Sequence, residues 1–480
     1  MNPVPWPPPV FAISASEGRR MAEMHRFNPT VLREYDIRGV VGKTLSSEDA
    51  TAIGRAFGTI VARQGGKTIA VGYDGRVSSP EFEAALVAGL NASGIDVLRV
   101  GLGPTPMLYF AVHDLSADGG IMVTGSHNPP DNNGFKFMLG KSSFFGKSIQ
   151  ELGALAAAGD YQSGAGTSRK DPMLLRYVAR VAEEGADLQP LKVVWDAGNG
   201  AAGEAMALLT AKLPGEHILL NEKIDGTFPA HHPDPTVPEN LVQLIEHVRA
   251  GSCDLGVAFD GDGDRIGVVD GAGEILWGDQ ILALLARPVL RAQPGATIIA
   301  DVKASQVLFD EVDRLGGTPL MWMTGHSLIK SKMAETGAPL AGEMSGHIFF
   351  ADRYHGYDDA LYAAVRLLGV LSVETESLAE LRAGLPQRIN TPELRFTCDD
   401  ERKFDAISEV RQRLTAAGAD VNAIDGVRVN TADGWWLLRA SNTQPVLVAR
   451  CEAENQAGLE RLKQALVEQL NESGIAPPDF

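Results

Sequence analysis

Three aspartates stand at alternate positions in the run Ala258-Phe259-Asp260-Gly261-Asp262-Gly263-Asp264-Arg265. Carboxylates this crowded repel one another unless a cation neutralises them, and hard oxygen donors of this kind suit Mg2+. Glycine at 261 and 263 lets the backbone curl so that side chains two apart face a common point. An EF-hand loop shares the Asp-x-Asp-x-Asp start but follows a helix; here an apolar strand precedes, and Arg265 with Ile266-Gly267-Val268-Val269 follows. The alternative is a solvated acidic turn, which fits poorly with three aspartates placed directly after a buried strand.

A second loop follows the apolar run Ile121-Met122-Val123, and reads Thr124-Gly125-Ser126-His127-Asn128-Pro129. Ser126 has two readings, a nucleophile or a turn serine that makes local hydrogen bonds. Adjacency in sequence makes His127 a poor base for it, so a metal and a nearby lysine are the better activators. Lys136 lies between Phe135 and Phe137 in the next apolar stretch. It is either an outward-facing strand residue or a partly desolvated amine with a lowered pKa suited to proton transfer.

Two further loops carry chemistry. Gly342-Glu343-Met344-Ser345-Gly346-His347 sets a carboxylate, a hydroxyl and an imidazole at alternate positions. In an extended segment all three share one face and suit the hydroxyls of a sugar; a polar edge strand reads the same way. Arg439-Ala440-Ser441-Asn442-Thr443-Gln444-Pro445 joins a guanidinium to hydroxyls in a tight loop, which describes either a phosphate cradle or a polar hairpin turn. The segments from Glu34 to Gly39 and from Gly72 to Arg76 each hold a basic residue near a turn, and taken singly both read as structural.

These loops must be held by a scaffold, and the hydrophobic pattern supplies one. From about Glu34, helical and strand patterns alternate: a helix over 51–64, a strand over 68–76, a helix over 79–94, then strands over 95–101 and 119–125. The grammar restarts at Leu191 and again near Ile281, so that one apolar strand enters one polar loop at intervals of about 100 residues. Strands separated by helices imply largely parallel sheets, in which ligands collect beyond the carboxyl ends of the strands. After about Thr391 the pattern becomes α+β, with strands at 394–404, 427–441 and 445–454 and helices around 407–418 and 457–474.

The chain has 480 residues, 44% of them hydrophobic and 22% charged, which is ordinary for a soluble protein of several domains. Its formal charge of −18 argues against broad binding to nucleic acid or to anionic membranes, though not against a small anion in a locally basic cleft. Cys253, Cys398 and Cys451 are sparse and far apart, as expected of a protein of the reducing cytoplasm. No apolar run approaches the roughly 18–20 residues needed to span a membrane. Residues 1–28, rich in proline, read as a disordered extension with no secretory character.

From about Glu34 onward the sequence resembles the α-D-phosphohexomutases, in particular their bacterial phosphomannomutase/phosphoglucomutase branch. The four motifs that carry the resemblance are 124–129, 260–265, 342–347 and 439–445, in that order. The resemblance implies an α/β fold of three similar mixed α/β domains and a smaller, mobile α+β C-terminal domain around a central cleft. The implied boundaries are 29–170, 171–272, 273–388 and 389–480. It further implies that Ser126 is the phosphorylated residue and that Asp260, Asp262 and Asp264, with a phosphoserine oxygen, hold Mg2+. Glu343 and Ser345 would bind sugar hydroxyls, and Arg439, Ser441, Asn442 and Thr443 the substrate's other phosphate. Tyr35, Arg38, Lys303 and His326 would line the cleft. Lys136 and His347 are the implied acid and base, and Arg265 offsets charge on the moving phosphoryl group.

The reaction so implied converts a hexose 1-phosphate and a hexose 6-phosphate into one another through a hexose 1,6-bisphosphate, which also serves as activator. The glucosamine branch of the family carries Gln where this chain has Met344, which favours mannose and glucose phosphates here. The alternatives are that glucosamine branch, a Mg2+-dependent phosphoserine-type sugar phosphatase, and a sugar-phosphate-binding protein without catalysis. The partners expected are hexose phosphates alone, on a monomer or weak dimer. The sequence departs from the family in its N-terminal extension and in Tyr73, where a basic residue is common.

Overall fold

The computed structural model describes residues 24–442, 444–478 and 480, and their strands fall into four sheets. Most of the expected extension, residues 1–23, lies outside the described residues. Its end does not: His25 donates its backbone N–H to Ala156 O at 3.0 Å and pairs its ring with Asp49, and Phe27 packs on the first core.

The first three sheets share one plan. In the first, the spatial order is Asp96–Leu102, Thr68–Tyr73, Gly119–Val123, Asn132–Leu139. In the second it is Gly215–Leu220, Leu191–Asp196, Leu255–Phe259, Ile266–Asp270, and in the third Thr318–Trp322, Thr297–Asp301, Leu340–Gly342, Ile348–Phe350. In each case three strands run parallel and the fourth returns antiparallel. The parallel core is as expected; the antiparallel fourth strand is not, and the reason is chain length. A parallel neighbour needs a crossover of about a dozen residues or more, and the connections 124–131, 260–265 and 343–347 are too short for one. The three loops that carry chemistry are therefore hairpin turns hung on the end of a parallel core.

The fourth sheet is antiparallel throughout, with Val446–Ala453 and Gly434–Ala440 at its centre. The segment Asp399 to Phe404, expected in a strand, opens the helix Asp400–Ala416 instead. Asp400 and Glu401 in its first turn complement the positive end of the helix dipole.

Packing divides the molecule unequally. One apolar core runs without a break through the first three domains, from Met107, Tyr109 and Tyr177 through Trp195 and Phe259 to Leu282 and Tyr362. The helix Ala360–Val373 is buried along most of its length within it, and its first turn is capped by Asp359. The fourth domain has a separate core of Val410, Val427, Trp436, Leu447 and Leu466. It meets the third domain through a small contact of Val302 with Trp435 and Leu437, and otherwise through polar bonds.

Candidate active site

The strand Gly119–Val123 is wholly buried, and its chain emerges at Thr124 into a loop fixed by its own hydrogen bonds. Ser126 adopts the left-handed conformation at φ +50°, unusual for a residue with a Cβ. Its N–H donates to Thr124 Oγ1 at 2.8 Å. Its Oγ donates to Asp260 Oδ2 at 3.0 Å and lies 3.2 Å from His127 Nδ1. The backbone turn thus brings His127 within reach of Ser126, which the adjacency argument did not anticipate.

Asp260, Asp262 and Asp264 are buried, with ligand oxygens all within 4.8 Å of one another. Gly263, at φ +73°, supplies the curl, whereas Gly261 is needed for space, because a Cβ there would lie 2.3 Å from the Ser126 carbonyl. Asp260 Oδ1 accepts from the N–H groups of Asp264 and Arg265 and so closes the turn. Asp262 Oδ1 and Asp264 Oδ1 are buried without a hydrogen-bond partner. Burial, with the charges of Asp262 and Asp264, pushes the Asp260 carboxyl far above the usual carboxylate range. Crowded carboxylates with orphaned oxygens fit a hard divalent cation, which would relieve both the repulsion and the lost solvation.

Lys136 is the desolvated amine of the second reading and not an outward-facing strand residue. It is buried, and its Nζ donates to Asp262 Oδ2 at 2.7 Å and to Asp264 Oδ2 at 2.5 Å. Burial opposes its charge, but Asp262 and Asp264 outweigh that and hold the ammonium well above the ordinary lysine range, where the sequence reading offered a lowered one. Burial raises Asp262 as well, yet Lys136 more than offsets this and keeps that carboxyl well below its usual range.

The Gly342–His347 segment is a turn, contrary to the extended segment expected. Glu343 N–H donates to His347 O at 2.9 Å, Gly346 N–H to Glu343 O at 3.0 Å, and Gly346 has φ +88°. Alternation therefore does not align the three side chains. Glu343 Oε1 accepts from Gly325 N–H at 2.7 Å, and Ser345 is half-buried in the same turn. His347 stacks on His326 with ring centroids 5.5 Å apart. Arg265 Nε donates to His347 Nε2 at 3.0 Å, which leaves the ring proton of a neutral imidazole on Nδ1, 3.1 Å from Asp358 Oδ2 and 3.6 Å from Asp264 Oδ1. Asp264, His347 and Asp358 are close enough together to ligate a metal, but this tautomer makes the trio an oriented imidazole instead. Burial, with Lys330 nearby, pushes His326 well below the ordinary imidazole range.

The fourth loop meets these residues through Tyr35, whose ring centroid lies 5.9 Å from that of His326. Arg439 Nε donates to Asp425 Oδ2 at 3.0 Å, and Ser441 Oγ accepts from Gln444 N–H at 3.2 Å. Asn442 Nδ2 donates to Tyr35 Oη at 2.7 Å, while Tyr35 Oη donates to Thr324 O at 2.9 Å, so one phenol joins three domains. Thr443 lies outside the described residues. Arg38 pairs with Asp36 and reaches Asn128 Oδ1 at 3.1 Å. Lys303 Nζ lies 2.8 Å from Glu393 Oε2 and 3.8 Å from Asp301 Oδ2.

Sequence reasoning passed over Asp358, Asp425 and Arg76. Asp358 precedes the helix cap at Asp359, where its only signal was an acidic pair before an apolar run. Arg76 sat in a turn that was read as structural.

Three repeated domains with hairpin loops meeting a fourth, smaller one have the architecture of the α-D-phosphohexomutases. Family models for phosphoglucomutase/phosphomannomutase alpha/beta/alpha domains I, II and III match residues 29–162, 175–273 and 277–389, and the model for the C-terminal domain matches 393–469. The chain belongs to the phosphoglucomutase/phosphomannomutase family. It is 47% identical over 442 residues to a phosphomannomutase/phosphoglucomutase of Pseudomonas aeruginosa, covering 92% of this chain and 95% of that one. It is 44% identical over 440 residues to a phosphoglucomutase of Neisseria gonorrhoeae, covering 90% and 95%. The crystal structure of a phosphoglucomutase/phosphomannomutase family protein from Burkholderia thailandensis matches with a TM-score of 0.89 at 45% identity, over 95% of this chain and 100% of that one. Among the described residues, no helix is long and apolar enough to cross a membrane, and all three cysteines are free and buried.

Proposed function

We propose that this protein interconverts hexose 1-phosphates and hexose 6-phosphates, with mannose or glucose as the sugar. The observation that carries the reading is the pairing of Ser126 Oγ with Asp260 in a buried acidic site. The names of the relatives from Pseudomonas aeruginosa and Neisseria gonorrhoeae supply the two sugars.

In this reading Ser126 carries the phosphoryl group and gives it to the free hydroxyl of the bound sugar phosphate. Asp260, Asp262 and Asp264 would hold Mg2+, whose charge supports phosphoryl transfer. Arg265 stabilises the charge that spreads over the moving group. Lys136 and His347 are the acid and base, the first held protonated by two carboxylates and the second held in one tautomer by Arg265. Glu343 and Ser345 take the sugar hydroxyls, and Arg439, Ser441, Asn442 and Thr443 the phosphate that stays. Tyr35, Arg38, Lys303 and His326 line the remaining walls. The bisphosphate product then turns around, so that its other phosphoryl group returns to Ser126. One cradle that accepts either phosphate suits this cycle, because both ends of the bisphosphate must bind in the same place.

The division at 29–170, 171–272, 273–388 and 389–480, a cytoplasmic location and a monomer or weak dimer belong to the same proposal. The four separate sheets and the unpaired thiols support the first two. An assay of mannose 1-phosphate with Mg2+ and added glucose 1,6-bisphosphate tests the activity. Bisphosphate-stimulated formation of mannose 6-phosphate is the expected result, and release of inorganic phosphate instead would mark a phosphatase.

A further inference from the structure

Arg76 is one of the largest charged side chains buried in the molecule, at 1% exposure, and its side-chain hydrogen bonds all go to the chain from Ser126 to Asn132. Its Nη1 donates to Pro129 O at 2.5 Å and Asn132 O at 2.8 Å, and its Nη2 to Ser126 O at 2.7 Å and Asn128 O at 2.6 Å. Its Nε lies 3.3 Å from Asp74 Oδ2, the oxygen that also accepts the Gly125 N–H at 3.1 Å. A guanidinium has five N–H donors; here the four on Nη1 and Nη2 point at these carbonyls, and the buried Nε faces Asp74 as an ion pair without a hydrogen bond. The side chain is fully buried, so no donor is open to an anion and Arg76 is not part of a phosphate cradle.

We propose that Arg76 is a positioning residue for phosphoryl transfer: it clamps the backbone of residues 126–132 so that Ser126 Oγ faces Asp260. This rests on the reading of Ser126 as the phosphoryl carrier. Ser126 sits at φ +50°, a conformation that a side chain disfavours and that its surroundings must hold. The Ser126 carbonyl, pinned by Arg76, packs in turn on Gly261 of the metal loop, so the clamp sets the register between nucleophile and carboxylates. The fit leaves no slack, because a Cβ at Gly125 would lie 2.4 Å from Arg76 Nε. The second domain covers the other side, with the Phe228 ring centroid 5.2 Å from the guanidinium carbon. Lysine cannot replace this side chain, since a single ammonium has three donors and no planar fork to reach four carbonyls.

The test compares the wild-type enzyme with Arg76→Lys. Both are charged with glucose 1,6-bisphosphate, the phosphate on Ser126 is quantified by peptide mapping, and kcat and KM for mannose 1-phosphate are measured. Misplacing the nucleophile by about an ångström should lower kcat of Arg76→Lys about 100-fold, while KM stays within about twofold because the Arg439 loop is untouched. A kcat within threefold of wild type, or a loss confined to KM, would overturn the proposal. Should Arg76→Lys show no cooperative thermal transition, Gly125→Ala decides: it pushes on the guanidinium from the loop side, and the same kcat-only loss is expected. Unchanged kcat in Gly125→Ala would overturn the proposal. If wild-type Ser126 never carries phosphate, the function reading falls and this inference with it; unaltered variants beside an active wild type overturn this inference alone.

Discussion

The loop around Ser126 and the loop around Arg439 belong to different domains and are held in opposite ways. The first is held by a buried guanidinium and belongs to three domains that share one apolar core. The second belongs to a domain with its own core, joined to the rest by bonds such as Arg428 to Val302 O and Ala304 O, Arg450 to Lys303 O, and Asn442 to Tyr35. Separating a shared apolar core exposes it to water, whereas each polar bond contributes a net of only about 1 kcal/mol because water replaces it. In the proposed mechanism the loop that performs the transfer is thus held fixed, and the loop that grips the other phosphate is joined by bonds that water can replace. A bisphosphate that must turn around between two half-reactions needs both.

The comparison can be broken or sharpened by substitution. The largest effect belongs to Ser126→Ala, which should remove nearly all mutase activity, a loss of at least about 1000-fold, while binding of mannose 6-phosphate stays measurable by calorimetry. Substantial residual turnover would mean that the loop performing the transfer is elsewhere. Arg439→Ala should act on grip alone and raise KM about 10- to 100-fold, the range for losing a charge-assisted pair of hydrogen bonds, with a smaller change in kcat. Equal losses in kcat and kcat/KM would erase the distinction between the two loops.

A third prediction concerns the fixed block itself. Burial pushes the Asp359 carboxyl up to about 6, with donors from Tyr177, Tyr354 and the Tyr362 N–H only partly offsetting it. The folded state therefore holds a proton that the unfolded state releases near pH 4. This contribution is fully present below the unfolded pKa and is lost as pH rises through about 6, amounting to about 3 kcal/mol by pH 8. Asp359→Asn should flatten the fall in Tm over that window; an unchanged pH profile would show that Asp359 does not govern it. The smallest effect is expected of Tyr35→Phe, which removes one bond between the grip and the block. It should raise KM about fivefold and leave kcat near wild type. A kcat loss larger than the KM change would place Tyr35 with the chemistry.

Much of this was legible in the sequence for a physical reason. An apolar run followed at once by Gly-rich polar residues marks the end of a buried strand, and in these folds ligands gather there. Ser126, Asp260 and Glu343 could be found that way. The direction of each fourth strand was not, since an apolar run looks the same in either sense and only the length of the connection decides. The turn at Gly346 was mistaken for extended chain because alternation was visible and a positive φ was not. The charge state of Lys136 depends on Asp262 and Asp264, which the fold alone brings to it. Arg76 was hidden most thoroughly, because its partners are backbone carbonyls and leave no trace in residue type.

The most direct test of the account is a rapid-quench measurement on enzyme carrying radiolabelled phosphate on Ser126, mixed with mannose 1-phosphate and Mg2+. The account predicts that the label passes to the sugar as the 1,6-bisphosphate within a single turnover, with little in inorganic phosphate. Label that stays on the protein, or that appears only as inorganic phosphate, would contradict it.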